Sequence, residues 1–264
     1  MASDPSDVGW QQKRALIIGR ASPEPSKTHI ETVCTGGITE EGEVLRLYPI
    51  PLRYLEPSSR YKIWTWAKFD VQKNPSDKRK ESYKVRDGSI EILGEITDKT
   101  EQFSFLEKAI FPDRETLDRR YHEDWTSIGI VEIELVKFYA ANTTRDHWGK
   151  SKPYIQQGHL YVSKKPLEQL SFEMRLKFRC KNNPNCNTHE SGLIGWEYME
   201  AFRNFRRNYG SAEAAWDQLQ NKVVSMFADQ RKRAFALLGT HSRYGSWMVA
   251  QLYFFDRILD RRLF

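Results

Sequence analysis

The stretch YKIWTWAKFDVQK, Tyr61 to Lys73, predicts the architecture of the first half of the chain. Every second residue from Ile63 to Val71 is apolar or small, whereas the residues between them are tryptophan, lysine or aspartate. A period of two places alternate side chains on opposite faces, so this segment is predicted to be a strand with one buried face. Trp64 and Trp66 would then share the other face.

Four more runs of strand character lie around this one: ALIIGR, THIETVCTGGI, VLRLYPI and GSIEILGEI. The turn TEEGE, which contains Gly42, joins the second and third of these runs into a hairpin. Short strands at such close spacing are typical of a small barrel or sandwich. We therefore predict an α+β protein that begins with a β-rich, small OB-like barrel.

The second half mixes helical and strand patterns. Helical spacing from Glu101 to Trp125 is interrupted by Pro112, and strand patterns return in SIGIVEIELVKFYA, HLYVSKK and SFEMRLKFRC. Two consecutive helices follow, the first from Ile194 to Tyr209 and the second capped by Ser211, before a terminal strand pair in FALLG and SWMVAQLYFF. The predicted parts are a disordered terminus at 1–13, a barrel-like domain at 14–110 and an α+β domain at 111–264.

The composition favours a partner with negative charge. The chain has 264 residues and a net charge of +6, and its basic residues occur in clusters. Such clusters suit a nucleic acid or another polyanion, although a single cluster is also typical of a solvated face. No apolar run approaches the length of a membrane span, and the first residues lack a signal core. With only three cysteines and no disulfide framework, we expect a cytoplasmic protein.

The stretch CKNNPNCNTHE, in the loop at 180–189, has the composition of a metal site. Cys180, Cys186 and His189 form the pattern C-x5-C-x2-H, and thiolate sulfur and imidazole nitrogen are ligands that zinc prefers. The candidates for a fourth ligand lie elsewhere in the chain, Cys34, His159 and His241, and water is the alternative. We predict a structural zinc site rather than a catalytic one, because no general base is clearly placed beside an open metal position. The alternative is a polar turn beside an ordinary buried thiol.

The loop DKRKESY, Asp77 to Tyr83, is a second candidate for chemistry. Asp77 and Glu81, together with His241, could act as metal ligands or proton carriers of a metal-dependent nuclease. The alternative interpretation is a polar loop between strands. The chain contains no P-loop, GxGxxG, HExxH or GxSxG motif, which excludes the common NTPase, dinucleotide-binding, metalloprotease and hydrolase signatures.

Basic and aromatic residues on the predicted strand faces indicate a surface for single-stranded nucleic acid. Small barrels hold such strands by stacking bases on aromatic rings and pairing phosphates with cations. The candidate contact residues share a polar strand face or a basic cluster: Arg46, Tyr48, Trp64, Trp66, Lys68, Arg175, Lys177, Arg179, Arg203 and Arg207. Alternatively, the two tryptophans pack beneath a helix of the second half.

Several motifs resemble those of a widespread, poorly characterised bacterial family over most of the chain. They are the hairpin TVCTGGI–TEEGEVLRLYPIPLRYL, the D-x-R-x-E-S-Y stretch, C-x5-C-x2-H before a helix with Trp, and a late GTH. The segment from Val33 to Pro49 also resembles the GRC-x-AG–W-x-RPV pattern of dual OB-fold proteins, with Val44–Leu45 in place of its Trp and Thr35–Gly36 in place of its small pair. The second resemblance implies nucleic-acid or nucleotide sensing, and neither implies catalytic residues.

We therefore expect a non-enzymatic nucleic-acid-binding protein, a sensor or accessory subunit in a bacterial defence or mobile-element system. DNA and RNA suit these residues equally. Two alternatives stay open: the metal-dependent nuclease, and an assembly subunit whose basic interface binds an acidic protein.

Overall fold

A computed structural model describes residues 9–142, 168–241 and 244–257. The first half contains the strands β1 (Gln11–Arg20), β2 (Glu24–Ser26), β3 (Ile30–Ile38), β4 (Val44–Ile50), β5 (Thr65–Lys73), β6 (Ser82–Val85) and β7 (Glu91–Glu95). The elements that follow are α1 (Lys99–Leu106), β8 (Ile110–Phe111), α2 (Arg114–Asp124), β9 (Ile128–Asn142), β10 (Phe172–Cys180), β11 (His189–Gly192), α3 (Trp196–Tyr209), α4 (Ala212–Ala228), β12 (Lys232–Thr240) and β13 (Trp247–Asp256).

Five of the early strands close into a barrel. β1 pairs with β3, β3 with β4, β4 with β6, β6 with β5, and β5 returns to β1. These pairs are antiparallel except β4–β6, which is parallel. A closed five-stranded barrel with this order is typical of OB-folds, so the predicted OB-like barrel is confirmed.

The alternation that predicted β5 also fills the barrel. Ala67, Phe69 and Val71 are fully buried, while the side chains between them are partly exposed. Trp64 departs from this pattern because it precedes the strand and has a φ of 69°. Its ring is buried and lies 5.4 Å from the ring of Tyr253 in β13. The prediction that Trp64 shares the outer face of β5 is therefore wrong.

The second sheet has the order β11-β10-β9-β12-β13, with β8 alongside β9. It is strongly curled, since Leu193, which follows β11, forms a bridge with Val249 of β13. The helices α3 and α4 supply Phe202 and Leu219 to a buried cluster that includes Leu176 of β10. The predicted α+β half, with two consecutive helices and a terminal strand pair, is confirmed.

The barrel and the second sheet share an apolar core. Ile18 of β1, Ile130 of β9 and Leu237 of β12 belong to one buried cluster. The approach is so close at Gly19 that a Cβ there would lie 2.5 Å from the Leu237 side chain. The Tyr253 hydroxyl also donates a hydrogen bond to the Ile18 carbonyl. These contacts make one body of the two halves.

Some boundaries differ from the sequence-based expectations. β1 begins at Gln11, so residues 11–13 belong to a strand rather than to the disordered terminus predicted at 1–13. Residues 1–8 and the strand predicted at HLYVSKK lie outside the described residues. His189–Gly192 form a strand paired with β10, where the sequence indicated only the approach to a helix. Within the described part of the chain, no helix has both the length and the apolar character needed to cross a membrane.

Candidate metal centre and basic surfaces

Four side chains with metal-binding atoms meet beside the end of β10: Glu115, Cys180, Cys186 and His189. Their ligand atoms are two sulfurs, an imidazole nitrogen and a carboxylate oxygen, and all lie within 4.8 Å of one another. Both cysteines are buried, and the histidine and the glutamate are partly buried. This group could hold a metal ion.

The β10–β11 hairpin brings three of these residues together. Cys180 is the last residue of β10, and its N–H donates to Cys186 Sγ at 3.0 Å. A turn lies between the two cysteines, and in it the Asn183 carbonyl accepts the N–H of Cys186 at 3.0 Å. His189 begins β11 opposite Phe178, and their ring centroids are 5.5 Å apart. The hairpin ladder therefore fixes the distance between the cysteines and the histidine.

Glu115 comes from the first turn of α2, which Asp113 caps. Its carboxylate lies 3.2 Å from His189 Nε2. In the same turn, the N–H of Arg114 donates to Cys180 Sγ at 3.2 Å. The site therefore joins the start of α2 to the β10–β11 hairpin.

Two distances between the ligand atoms are close to the edges of a tetrahedron around one ion. Zinc lies about 2.3 Å from sulfur and about 2.0 Å from nitrogen or oxygen, which separates tetrahedral ligands by roughly 3.3–3.8 Å. Here Cys186 Sγ is 3.3 Å from His189 Nε2, and Cys180 Sγ is 3.9 Å from Glu115 Oε2. These two separations are close to tetrahedral edges, and all four ligand atoms lie within 4.8 Å of one another.

Burial controls the protonation of this group. Burial, followed by the hydrogen bond with Cys186, raises the pKa of the Cys180 thiol well above its usual value. Burial also lowers the pKa of His189, although the charge of Glu115 opposes this, so the imidazole is neutral at pH 7 and available as a ligand. A bound cation would reverse the effect on the thiol, because it stabilises the thiolate.

The fourth ligand is not the one that the sequence suggested. Cys34 Sγ accepts a hydrogen bond from Arg46 at 3.6 Å, and the His241 ring stacks on Tyr244. Neither of these two candidates belongs to the group, in which Glu115 takes the fourth place. His159 lies outside the described residues. Glu115 was missed because it precedes Cys180 by 65 positions, and no spacing rule selects one carboxylate at that distance.

The predicted contact residues on the barrel are mostly engaged in packing. Arg46 is 8% exposed and donates to the Ser127 carbonyl at 2.9 Å, because the segment before β9 covers this side of the barrel. Trp66 packs edge-on against Phe105 of α1 at 5.3 Å, so a helix does cover it, but this helix precedes the second half of the chain in which the alternative placed it. Burial makes Arg46, like Trp64, a structural residue rather than a contact for a ligand in solvent.

Two further barrel residues reach the surface. Lys68 pairs with Glu91 at 3.2 Å, so its charge is compensated. Tyr48 is 47% exposed, and its hydroxyl accepts a hydrogen bond from Thr32. Tyr48 thus remains accessible, and its role in binding stays a prediction.

The basic face of β10 is largely neutralised. Arg175 and Lys177 both pair with Glu190 of β11, at 2.9 Å and 3.3 Å. Arg179 is exposed and donates to the Thr188 hydroxyl at 3.2 Å. Alternation identified the face correctly, but the strand that pairs with it supplies the opposite charge.

The arginines of α3 divide in the same way. Arg203 is 9% exposed, pairs with Glu200 at 2.7 Å and donates to the Glu168 carbonyl at 2.8 Å. Arg207 is exposed and donates to Asn204 on the same helix. Arg203 therefore stabilises the fold, whereas a contact between Arg207 and nucleic acid stays a prediction.

Asp77 and Glu81 anchor the loop between β5 and β6. Burial opposes ionisation of Asp77, but hydrogen bonds led by the Arg79 guanidinium outweigh it and lower its pKa to about 2. Glu81 is 5% exposed and accepts the N–H of Ser127 at 3.1 Å and its hydroxyl at 2.8 Å. Among the described residues, neither carboxylate nor His241 belongs to a group that could hold a metal. The structure therefore favours the polar-loop interpretation over nuclease chemistry.

This loop also borders a surface that the sequence patterns did not reveal. Lys78 and Lys80 are exposed, and Lys78 Nζ lies 5.0 Å from the centre of the Trp125 ring. Trp125 is 41% exposed, and Tyr244, in the turn between β12 and β13, is 73% exposed. The sequence held one indication of this surface, which is a tryptophan within the polar run HEDWTS. The helical periodicity of α2 does not show that this tryptophan is exposed.

Two family models match the chain, and the boundary between their matches falls between the barrel and the second sheet. Residues 11–108 match a domain of unknown function (DUF8758), and residues 114–264 match a second domain of unknown function (DUF8757). No curated protein matches the chain. The second match covers the metal centre, all of α2 and both terminal strands, and it spans more than half of the residues. The barrel matches the DUF8758 model, and the chain belongs to the DUF8757 family.

Proposed function

We propose that this protein binds nucleic acid without transforming it, and that a structural zinc ion stabilises the start of α2, the helix whose other end borders the binding surface. The observation that best supports binding is the position of the β5–β6 loop. It connects the fourth and fifth strands of the barrel, and OB-folds use this connection to bind oligonucleotides. Here it exposes Lys78 and Lys80 beside the Trp125 ring. A role in bacterial defence stays a prediction.

A fluorescence-polarisation titration of the full chain tests binding. The ligands are labelled single- and double-stranded DNA and RNA, and each titration is repeated at several salt concentrations. Affinity should fall steeply with salt, because cations that pair with phosphates release counterions. Reversing the charge in Lys78→Glu should weaken binding. Lys222→Glu makes the same change at an exposed position of α4 and should not weaken it. Absence of binding at low salt, or binding that ignores salt, would refute the proposal.

Zinc is the metal that the donor set favours. Two sulfurs and an imidazole are soft or borderline ligands, which suit zinc better than magnesium or calcium. With Glu115 as the fourth donor, a tetrahedral ion would have no open position for water or substrate. We therefore assign the zinc a structural role, in which it joins α2 to the β10–β11 hairpin.

Metal content and thermal stability together test this assignment. Purified protein should contain about one zinc per chain, and Cys186→Ser should lower both zinc content and melting temperature, because a structural zinc contributes folding free energy directly. Cys34→Ser is the matched control, since Cys34 lies outside the group. Protein without metal, together with an unshifted melting temperature for Cys186→Ser, would reduce the group to a polar turn.

A further inference from the structure

Three segments of the chain meet at the surface beside the end of α2. Arg79 of the β5–β6 loop donates to the last carbonyl of β12 at 3.0 Å. The N–H of Lys80 donates to the Trp125 carbonyl at 3.4 Å. A Cβ on Gly245, in the β12–β13 turn, would lie 3.2 Å from the Tyr121 hydroxyl. The loop, the helix end and the described residues Tyr244 and Gly245 of the turn therefore lie side by side at the surface.

Two exposed aromatic rings lie on this surface. Trp125 is the one exposed tryptophan among the described residues, and Tyr244 is the most exposed of their large hydrophobic side chains. The Tyr121 ring meets Trp125 edge-on at 5.6 Å. The His241 ring stacks on Tyr244, with centroids 4.9 Å apart and planes at 25°. Each exposed ring is thus held in place by a second ring.

The backbone of Trp125 indicates that the fold does not require a tryptophan here. Its φ of 61° and ψ of 26° place it in the left-handed region, at the position where a helix usually ends on glycine. Large side chains are disfavoured in this conformation. Because the ring is also 41% exposed, burial compensates only in part. Disfavoured conformations of this kind cluster at functional sites.

Among the described residues, three cations and one carboxylate lie around the Trp125 ring. Lys78 lies over the Trp125 ring and forms no ion pair with a described residue. Lys80 and Arg120 share one carboxylate, that of Asp124, at 2.7 Å and 2.5 Å. The surface therefore combines aromatic rings with cations that are not fully neutralised.

We propose that this surface binds unpaired bases of single-stranded nucleic acid, which stack on Trp125 and Tyr244 while Lys78 contacts a phosphate. The inference rests on the proposed function and identifies its ligand as single-stranded. Stacking on a side chain requires a base that is not enclosed in a duplex, and it tolerates any sequence. An acidic protein segment would use the cations but would leave the rings without partners.

The test compares Trp125→Gly and Tyr244→Ala with the wild-type chain in titrations with single-stranded and duplex oligonucleotides. Each substitution should weaken single-strand binding by about 5- to 150-fold, the range expected for loss of one base–aromatic stack. Trp125→Gly should keep or raise the melting temperature, because glycine favours the left-handed conformation. Tyr209→Ala is the control, because it removes an aromatic ring that is 52% exposed at the far end of α3.

The outcomes separate this inference from the proposed function. If the wild type binds and both variants bind as tightly, the stacking surface is wrong while nucleic-acid binding stands. Preference for duplex, or displacement of the oligonucleotide by polyglutamate at equal charge, would likewise overturn it. If the wild type binds no nucleic acid, the proposed function itself fails. Should either variant melt at a lower temperature, the wild type's preference for single strands over duplex decides instead, because stacking requires unpaired bases whereas charge alone does not.

Discussion

Glu81 is a carboxylate that the sequence offered as a catalytic group and that the structure places inside the protein. Its oxygens accept the N–H and the hydroxyl of Ser127. Replacement by alanine would leave the buried N–H without a partner, so Glu81→Ala should lower the free energy of unfolding by about 1–3 kcal/mol. Urea denaturation measures this value. Glu107→Ala, at an exposed position, should change it by less than about 0.5 kcal/mol, and equal effects of the two variants would contradict the structural role.

Asp77 gives a prediction about pH. The pKa of its carboxyl is about 2 in the folded chain, because hydrogen bonds led by Arg79 outweigh the effect of burial, against about 3.9 in an unfolded chain. A lowered pKa means that the ionised form stabilises the fold above about pH 4, and that this stabilisation is lost as the pH falls towards 2. Asp77→Asn should therefore melt below the wild type at neutral pH, and the difference should shrink between pH 4 and 2. A difference that is constant from pH 7 to 2 would exclude this account.

At the scale of elements, the group of Glu115, Cys180, Cys186 and His189 joins the β10–β11 hairpin to the first turn of α2, and we propose that it holds zinc. Removal of the metal with a chelator should increase hydrogen exchange in the loop after Cys180 and in the turn around Glu115, because these segments lose their shared ligand. The barrel strands contribute no ligand to the site, so their amides should keep their protection from hydrogen exchange. Exchange that is unchanged everywhere would show that the metal is not structural.

Strand alternation predicted which residues face inward, but not what covers the outward face. Phe69 and Cys180 are buried as the patterns required. Arg46 faced outward from its strand and is nevertheless buried, since the segment before β9 covers the barrel. Glu115 completes the metal group from a helix that no spacing rule connects to the cysteines. The burial of Arg46 and the place of Glu115 in the metal group both depend on contacts between elements that are distant in sequence, and sequence patterns do not show such contacts.

At the scale of the whole molecule, the two halves should unfold together. One buried cluster includes side chains of the barrel, such as Ile18, and of the terminal strands, such as Leu237 and Phe255. Because neither half can bury these residues alone, we expect a single urea transition for the full chain when circular dichroism and tryptophan fluorescence are compared. Transitions with different midpoints would show that the barrel and the second sheet are independent domains.

Nucleic acid is proposed to bind at the surface formed by the β5–β6 loop, the end of α2 and Tyr244 after β12. Ultraviolet cross-linking of a bound single-stranded oligonucleotide, followed by mass spectrometry of the peptides, tests it most directly. The account predicts cross-links at Trp125 and Tyr244, whose exposed rings would stack on the bases. The absence of cross-links, or cross-links confined to the basic face of β10 around Arg179, would contradict it.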